Sequence, residues 1–262
     1  MHEATLVTGE LKLAGRLDAR FFALLQAIDA TGSINKAART AGYSYKGAWL
    51  LLESASNLAH GQLIERVTGG TGGGGTRLMP AAHALLAAWH HLHDAHAAFL
   101  RDQDAWLAQQ PALAGTLRRL AMKTTARNQF AGTITRVDAG PVTTEVVLSL
   151  RGGNEITAAL TSSSAKHLKL KKGQEAVVLI KASAVVLVSD FAGYRLSARN
   201  QLAGTISRIE KGAVSSLVGV TLPGGEVVRT TVTNDAVSAL ALAVGQPATA
   251  VFKAYSVMLA VQ

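Results

Sequence analysis

Apolar and polar positions divide the chain into a helical half and a β half. Residues 19–58 read as helices with small residues at their joints. The run LDARFFALLQAID predicts a helix over 18–30, stopped by Gly32. Ser33 is placed to cap a second helix over 34–41, with Ala37 and Ala38 where helices cross. Gly42 marks a tight turn, and Ser44 is placed to cap a third helix whose Trp49, Leu50 and Leu52 are assigned to a core. LIERV and TRLMP then read as two short strands joined by GGTGGGG, the pattern of a wing and its tip. Residues 80–110 predict one long amphipathic helix, with Leu85, Leu86, Trp89, Leu92, Phe99 and Leu100 as its apolar stripe. That stripe either packs on the winged domain or pairs two chains.

Beyond residue 120 the period changes to that of strands, and the pattern is written twice. TARNQFAGTI at 125–134 returns as SARNQLAGTI at 197–206, and the two copies align without a gap at an offset of 72. Gly152-Gly153 falls on Gly224-Gly225, Thr161 on Thr233, and Lys181-Ala182 on Lys253-Ala254. In each copy GTITRV or GTISRI alternates, a β-branched run follows, and GGN or PGGE reads as a hairpin turn. EAVVLIKASAVVLV reads as two strands with a bend near Lys181. Five or so short strands with one short helical piece predict a small, partly open barrel of the oligonucleotide-binding type. The expected domains are 1–116, a linker at 117–122, a first barrel at 123–190 and a second at 191–262. The expected class is therefore α+β and multidomain.

Charge sharpens this picture. The net charge is +9 over 262 residues, and all of the excess lies in residues 117–262, because the first 116 residues cancel. A basic half implies an anionic partner, either DNA or a small anion. The absence of cysteine excludes disulfides, thiolate zinc sites and a cysteine nucleophile, and fits a reducing compartment. The N-terminal run MHEATLVTGE lacks a basic start followed by an apolar core, and no apolar stretch is long enough to span a bilayer. A soluble, unexported, cytoplasmic protein without a membrane partner is expected. The histidines of the long helix (His83, His90, His91, His93, His96) have no carboxylate pattern to complete a metal site, and no metal is expected. No nucleophile–base pair or cofactor loop points to an enzyme.

Each copy supplies a guanidinium (Arg127, Arg199), an ammonium (Lys181, Lys253) and small hydroxyls (Thr125, Thr161, Ser164; Ser197, Thr233). Donors without matching acceptors suit a deprotonated oxyanion. The alternative is structural: Arg pairs with a carboxylate across a strand while Asn and Gln bond turn backbone. In the helical half, Lys36, Arg39, Ser44, Tyr45, Lys46, Arg66, Thr76 and Arg77 form the candidate DNA face, with the two wing arginines reaching phosphates. The glycine run lacks the Gly-Lys-Ser/Thr ending of a phosphate loop, so a nucleotide site is not expected there.

On these residues, the tandem TARNQ and SARNQ repeats resemble the molybdopterin-binding-protein (Mop, or TOBE) domain. Two of them behind a helical N-terminus resemble the molybdate-dependent transcriptional regulators of ModE type, and the winged helix resembles a LysR-type DNA-binding domain. The resemblance implies molybdate as ligand, with tungstate as substitute, and Thr125, Arg127, Asn128, Thr161, Ser164, Lys181 and the backbone of Ala182 and Ser183 as the site. In that family the site forms where Mop domains of two chains meet, so a homodimer is implied. The second copy keeps Ser197, Arg199, Asn200, Thr233, Lys253 and Ala254, but Ala236 stands for Ser164 and Tyr255 for Ser183. A weaker or different second anion site is expected there. The implied function is operator binding promoted by molybdate and repression of molybdate-uptake genes. The alternative is a molybdate or tungstate store whose N-terminal half only dimerises.

Overall fold

The computed structural model describes residues 5–59, 61–67 and 75–262. The chain forms two compact units, Met1–Ala121 and Met122–Gln262.

The first unit contains α1 (Ala19–Thr31), α2 (Ile34–Thr40), α3 (Tyr45–Leu58), β1 (Ile64–Val67), β2 (Gly75–Leu78), α4 (Pro80–Ala108) and α5 (Pro111–Ala121). Side-chain oxygens of Asp18, Ser33 and Ser44 accept from backbone N–H groups in the first turns of α1, α2 and α3, as the sequence predicts for the two serines. Gly32 closes α1 in the left-handed region, at φ 62°, and donates its N–H to Ile28. The core joins Phe21, Phe22, Leu24, Leu25 and Ile28 of α1 to Leu52 of α3, Leu63, Leu78, Leu86 and Trp89. The Phe22 and Trp89 rings stack at 4.3 Å, which fixes α4 against α1. β1 and β2 pair antiparallel from Ile64–Leu78 to Val67–Gly75, so the wing strands stand where expected. Most of the expected tip, GGTGGGG at 69–75, lies outside the described residues.

Two expectations, on Leu50 and on the linker, need correction here. Leu50 is 52% exposed, because Leu52 and Ala48 already fill the inward face of α3. On α4 the stripe packs on the winged domain at Leu85, Leu86 and Trp89 and is open at Leu92 and Phe99. The linker expected at 117–122 is helical through Ala121, since Pro111 starts α5 with a preset φ and Ala, Leu and Arg sustain it.

The second unit contains β3 (Asn128–Ala139), β4 (Thr143–Leu150), β5 (Glu155–Thr161), α6 (Ser162–His167), β6 (Glu175–Ile180), β7 (Val186–Val188), β8 (Asn200–Lys211), β9 (Ser215–Thr221), β10 (Val227–Thr233), α7 (Asn234–Ala239), β11 (Pro247–Phe252) and β12 (Val257–Ala260). A 3₁₀ turn stands at Ala182–Ala184 and another at Ala254–Ser256. The two five-stranded antiparallel sheets run β12-β6-β3-β4-β5 and β10-β9-β8-β11-β7. Each repeat thus gives its last strand to the other. Leu187 of β7 pairs with Ala250 of β11, and Met258 of β12 pairs with Leu179 of β6. Contiguous barrels at 123–190 and 191–262 are therefore corrected: neither segment builds a complete sheet. The physical reason is that Lys181 and Lys253 are followed by a 3₁₀ turn that carries the chain onward to the neighbouring copy.

The exchange merges the interiors. Phe130, Ile134, Val178 and Ile180 of one copy share a cluster with Leu202, Val228, Phe252 and Val257 of the other. Both long strands bulge at the same place, between Ile134 and Arg136 and between Ile206 and Arg208, which curls each sheet. The repeated turn glycines also meet. A Cβ on Gly152 would lie 2.4 Å from the Cα of Gly224, so the first glycine of each GG turn is required by contact between copies.

Candidate functional site

The two ARNQ loops divide their labour residue by residue. Asn128 and Asn200 are almost fully buried. Asn128 Oδ1 accepts from Arg229 N–H at 2.6 Å, and its Nδ2 donates to the Arg229 carbonyl at 2.8 Å. Asn200 does the same on the first copy, accepting from Thr157 N–H at 2.7 Å and donating to the Thr157 carbonyl at 2.8 Å. Each asparagine acts as one more strand residue on the edge of the other copy. Their expected place among anion ligands is corrected, because these bonds engage both ends of the amide in the interior. Gln129 and Gln201 fold back on their own loops, donating to Ala126 and Ala198 carbonyls at 3.3 and 2.9 Å. Of the Arg-Asn-Gln signature, only the arginine is not tied to the backbone of its own loop or of the other copy, and of the two arginines only Arg127 has no ion pair among the described residues.

Arg127 and Lys181 are exposed and have no ion pair among the described residues. Thr125 is exposed beside Arg127, and Ala182 and Ser183 open the 3₁₀ turn after Lys181, where first-turn N–H groups lack a partner within the turn. This turn packs on β10, where Thr230 Oγ1 donates to the Val185 carbonyl. The cluster offers two cations, two hydroxyls and free N–H groups with no carboxylate among its own members. Thr161 and Ser164 form a separate exposed pair. Their hydroxyls lie 2.8 Å apart, and Thr161 caps α6 by accepting from Ser164 N–H. No hydrogen bond joins them to Arg127 or Lys181 among the described residues.

The second copy repeats this cluster against β4 and β5. A cleft of about 260 Å³ is lined by Ser197, Arg199, Lys253, Ala254 and Tyr255 on one side and by Thr143, Glu145 and Ala159 on the other. Arg199 Nη2 donates to Glu145. Thr233 caps α7, accepting from Ala236 N–H, and no hydroxyl stands where Ser164 does in the first copy. The alternative of an arginine paired with a carboxylate holds for Arg199. The sequence did not single out Glu145 as that carboxylate, although Leu217 at the aligned position 72 residues on marks it as peculiar to one copy.

On the first unit, Lys36, Arg39, Tyr45 and Lys46 are exposed on α2 and the first turn of α3, and the three cations have no ion pair among the described residues. Arg20 fastens the turn between these helices: it donates to the Ala41 and Gly42 carbonyls and lies 4.4 Å from the Tyr43 ring centre. Burial pushes the Tyr43 phenol up from its ordinary value. Sequence reading overlooked Arg20, which positions the face without belonging to it. Arg66 covers the Trp49 ring at 4.4 Å, Arg77 holds Glu65 at 2.7–2.8 Å, and Thr76 is buried with its N–H donating to the Gly32 carbonyl. Thr76 as a phosphate contact is corrected, because the wing strand seats it in the interior. The α4 histidines have separate neighbours, His83 near Asp29 and His90 bonded to Gln26. No helix among the described residues is long and apolar enough to cross a membrane.

Residues 124–187 and 196–259 each match the TOBE domain. The chain is 64% identical to the molybdenum transport protein ModE of Herbaspirillum seropedicae, over 99% of this chain and 97% of the relative. It is 39% identical to the DNA-binding transcriptional dual regulator ModE of Escherichia coli K12, over 95% of this chain and 96% of the relative. Among solved structures, the cytoplasmic molybdate-binding protein ModG with molybdate bound is 45% identical, with a TM-score of 0.53. It matches over its whole length and 54% of this chain.

Proposed function

The chain belongs to the ModE family of tandem-TOBE proteins, and on that premise we propose that it is a homodimeric, cytoplasmic transcription regulator whose operator affinity is raised by molybdate. Molybdate is the ligand, held by the exposed Arg127 and Lys181 with Thr125 and the N–H groups of Ala182 and Ser183. The Thr161 and Ser164 hydroxyls of a second chain complete its shell. The observation that carries the reading is the pair of unneutralised cations, Arg127 and Lys181, in a basic domain with an exposed basic recognition face elsewhere in the same chain. An anion without a protein counter-ion binds where charge is waiting for it. The Ser44-capped helix presents Lys46 and Tyr45 to the major groove, with Lys36 and Arg39 on neighbouring phosphates. Repression of molybdate-uptake genes is the regulatory outcome that follows.

A store of molybdate is the competing reading, supported by the likeness of the second unit to ModG. It gives no task to the free cations of α2 and α3. Fluorescence anisotropy on promoter DNA of the molybdate-uptake genes, with and without molybdate and with sulfate in excess, separates the two. Tighter binding with molybdate supports the regulator. Equal affinity in both conditions overturns it.

A further inference from the structure

The two copies carry the same cations but face different residues. Arg127 and Arg199 occupy equivalent places, as do Lys181 and Lys253. Two ion pairs repeat as well: Arg136 Nε holds Asp138 at 3.0 Å, and Arg208 Nε holds Glu210 at 2.9 Å, each 72 residues from its counterpart. Glu145 breaks the symmetry. It stands on β4, opposite Ala159 of β5, and the aligned position on β9 is Leu217. Its carboxylate takes Arg199 and lies 3.5 Å from Arg136 Nη2. Arg136 does not depend on it, because Asp138 already neutralises that guanidinium as Glu210 neutralises Arg208.

We propose that Glu145 is a built-in occupant of the second oxyanion site, a carboxylate that takes the Arg199 guanidinium and excludes a dianion from the cleft. The inference rests on the reading that the Arg127 cluster holds molybdate. An oxyanion entering the second cleft must compete with a tethered carboxylate for the same guanidinium fork. With that carboxylate still on the wall, it meets like charge beside Lys253. The first copy has an apolar side chain at the matching position, and its arginine stays free. Of two pseudo-equivalent sites, the Arg127 site fills and the Arg199 site is closed from within. The remaining differences, Ala236 and Tyr255, thin the shell around the second cleft, but Glu145 neutralises its main donor.

Molybdate bound per chain, measured by equilibrium dialysis with sulfate in excess, tests this on the full-length protein. Glu145→Leu copies the first site, and Glu145→Gln keeps the side-chain shape. Thermal melts check that both variants fold. The expected result is that at least one variant binds about twice the molybdate of the wild type, that Arg199→Ala changes nothing in the wild type, and that Arg199→Ala in the Glu145 variant restores the wild-type value. The inference is overturned if both Glu145 variants fold and bind no more than the wild type. It is also overturned if Arg199→Ala removes half of the anion from the wild type. A folded wild type that binds no molybdate defeats the reading of the Arg127 site and this inference with it.

Discussion

Asn128 and Arg127 are neighbours in a repeated signature, yet they do different work, and substitution separates them. Asn128→Ala leaves the Arg229 N–H and carbonyl on the edge of β10 without a partner in the interior. Orphaning such groups costs about 1–3 kcal/mol, so urea unfolding should shift its midpoint down accordingly. Arg127→Ala removes an exposed, unpaired side chain, and its unfolding midpoint should stay within about 0.5 kcal/mol of wild type. Calorimetry should show loss of molybdate heat for Arg127→Ala. A variant at Arg127 that unfolds as readily as the Asn128 variant would assign the arginine to scaffold. At this scale the sequence was legible by type and illegible by role. Repetition singled out ARNQ, but an amide that bonds a ligand and one that bonds a strand edge have the same letter. The partner that decides lies 101 residues away for Asn128 and 43 for Asn200.

Helices α1 to α3 were legible to within a residue or so, because caps and left-handed glycines act over four residues of chain. Exposure along α3 was less legible. Leu50 looks like core by type, and its outward direction follows from Ala48 and Leu52 taking the inward face. Ser44 gives this element a direct test. Ser44→Ala removes the acceptor for Gly47 N–H, 3.0 Å away, and should lower stability of the first unit by about 1 kcal/mol in denaturant titration. Lys46→Ala, two residues further on in the same first turn, should leave stability unchanged and weaken DNA binding at every sequence. Its plot of log affinity against log salt should lose about one unit of slope. If Lys46→Ala leaves both affinity and slope intact, α3 does not face phosphate.

The period of 72 residues told how many barrels there are and not which strands close them. β7 and β12 are equivalent by alignment, so either could pair with β6, and no local pattern chooses. Both repeats carry the same 3₁₀ turn after their lysine, and what distinguishes the outcome is the edge on which the following strand lands, β11 for β7 and β6 for β12. The exchange has a consequence for dissection. A fragment of residues 122–190 keeps β3 to β7 but loses β12, which leaves the β6 edge open and β7 without a sheet. Val178 and Ile180 would also lose Val257 from their shared cluster. An open edge beside a homeless equivalent strand is the condition for reciprocal exchange between two copies. The fragment should therefore run as a dimer or larger assembly in light scattering at micromolar concentration, and dilution should unfold it together with dissociation. A folded, monomeric fragment would mean that β7 can turn back onto its own β6, and that the swap is a preference of the full chain rather than a requirement of the repeat.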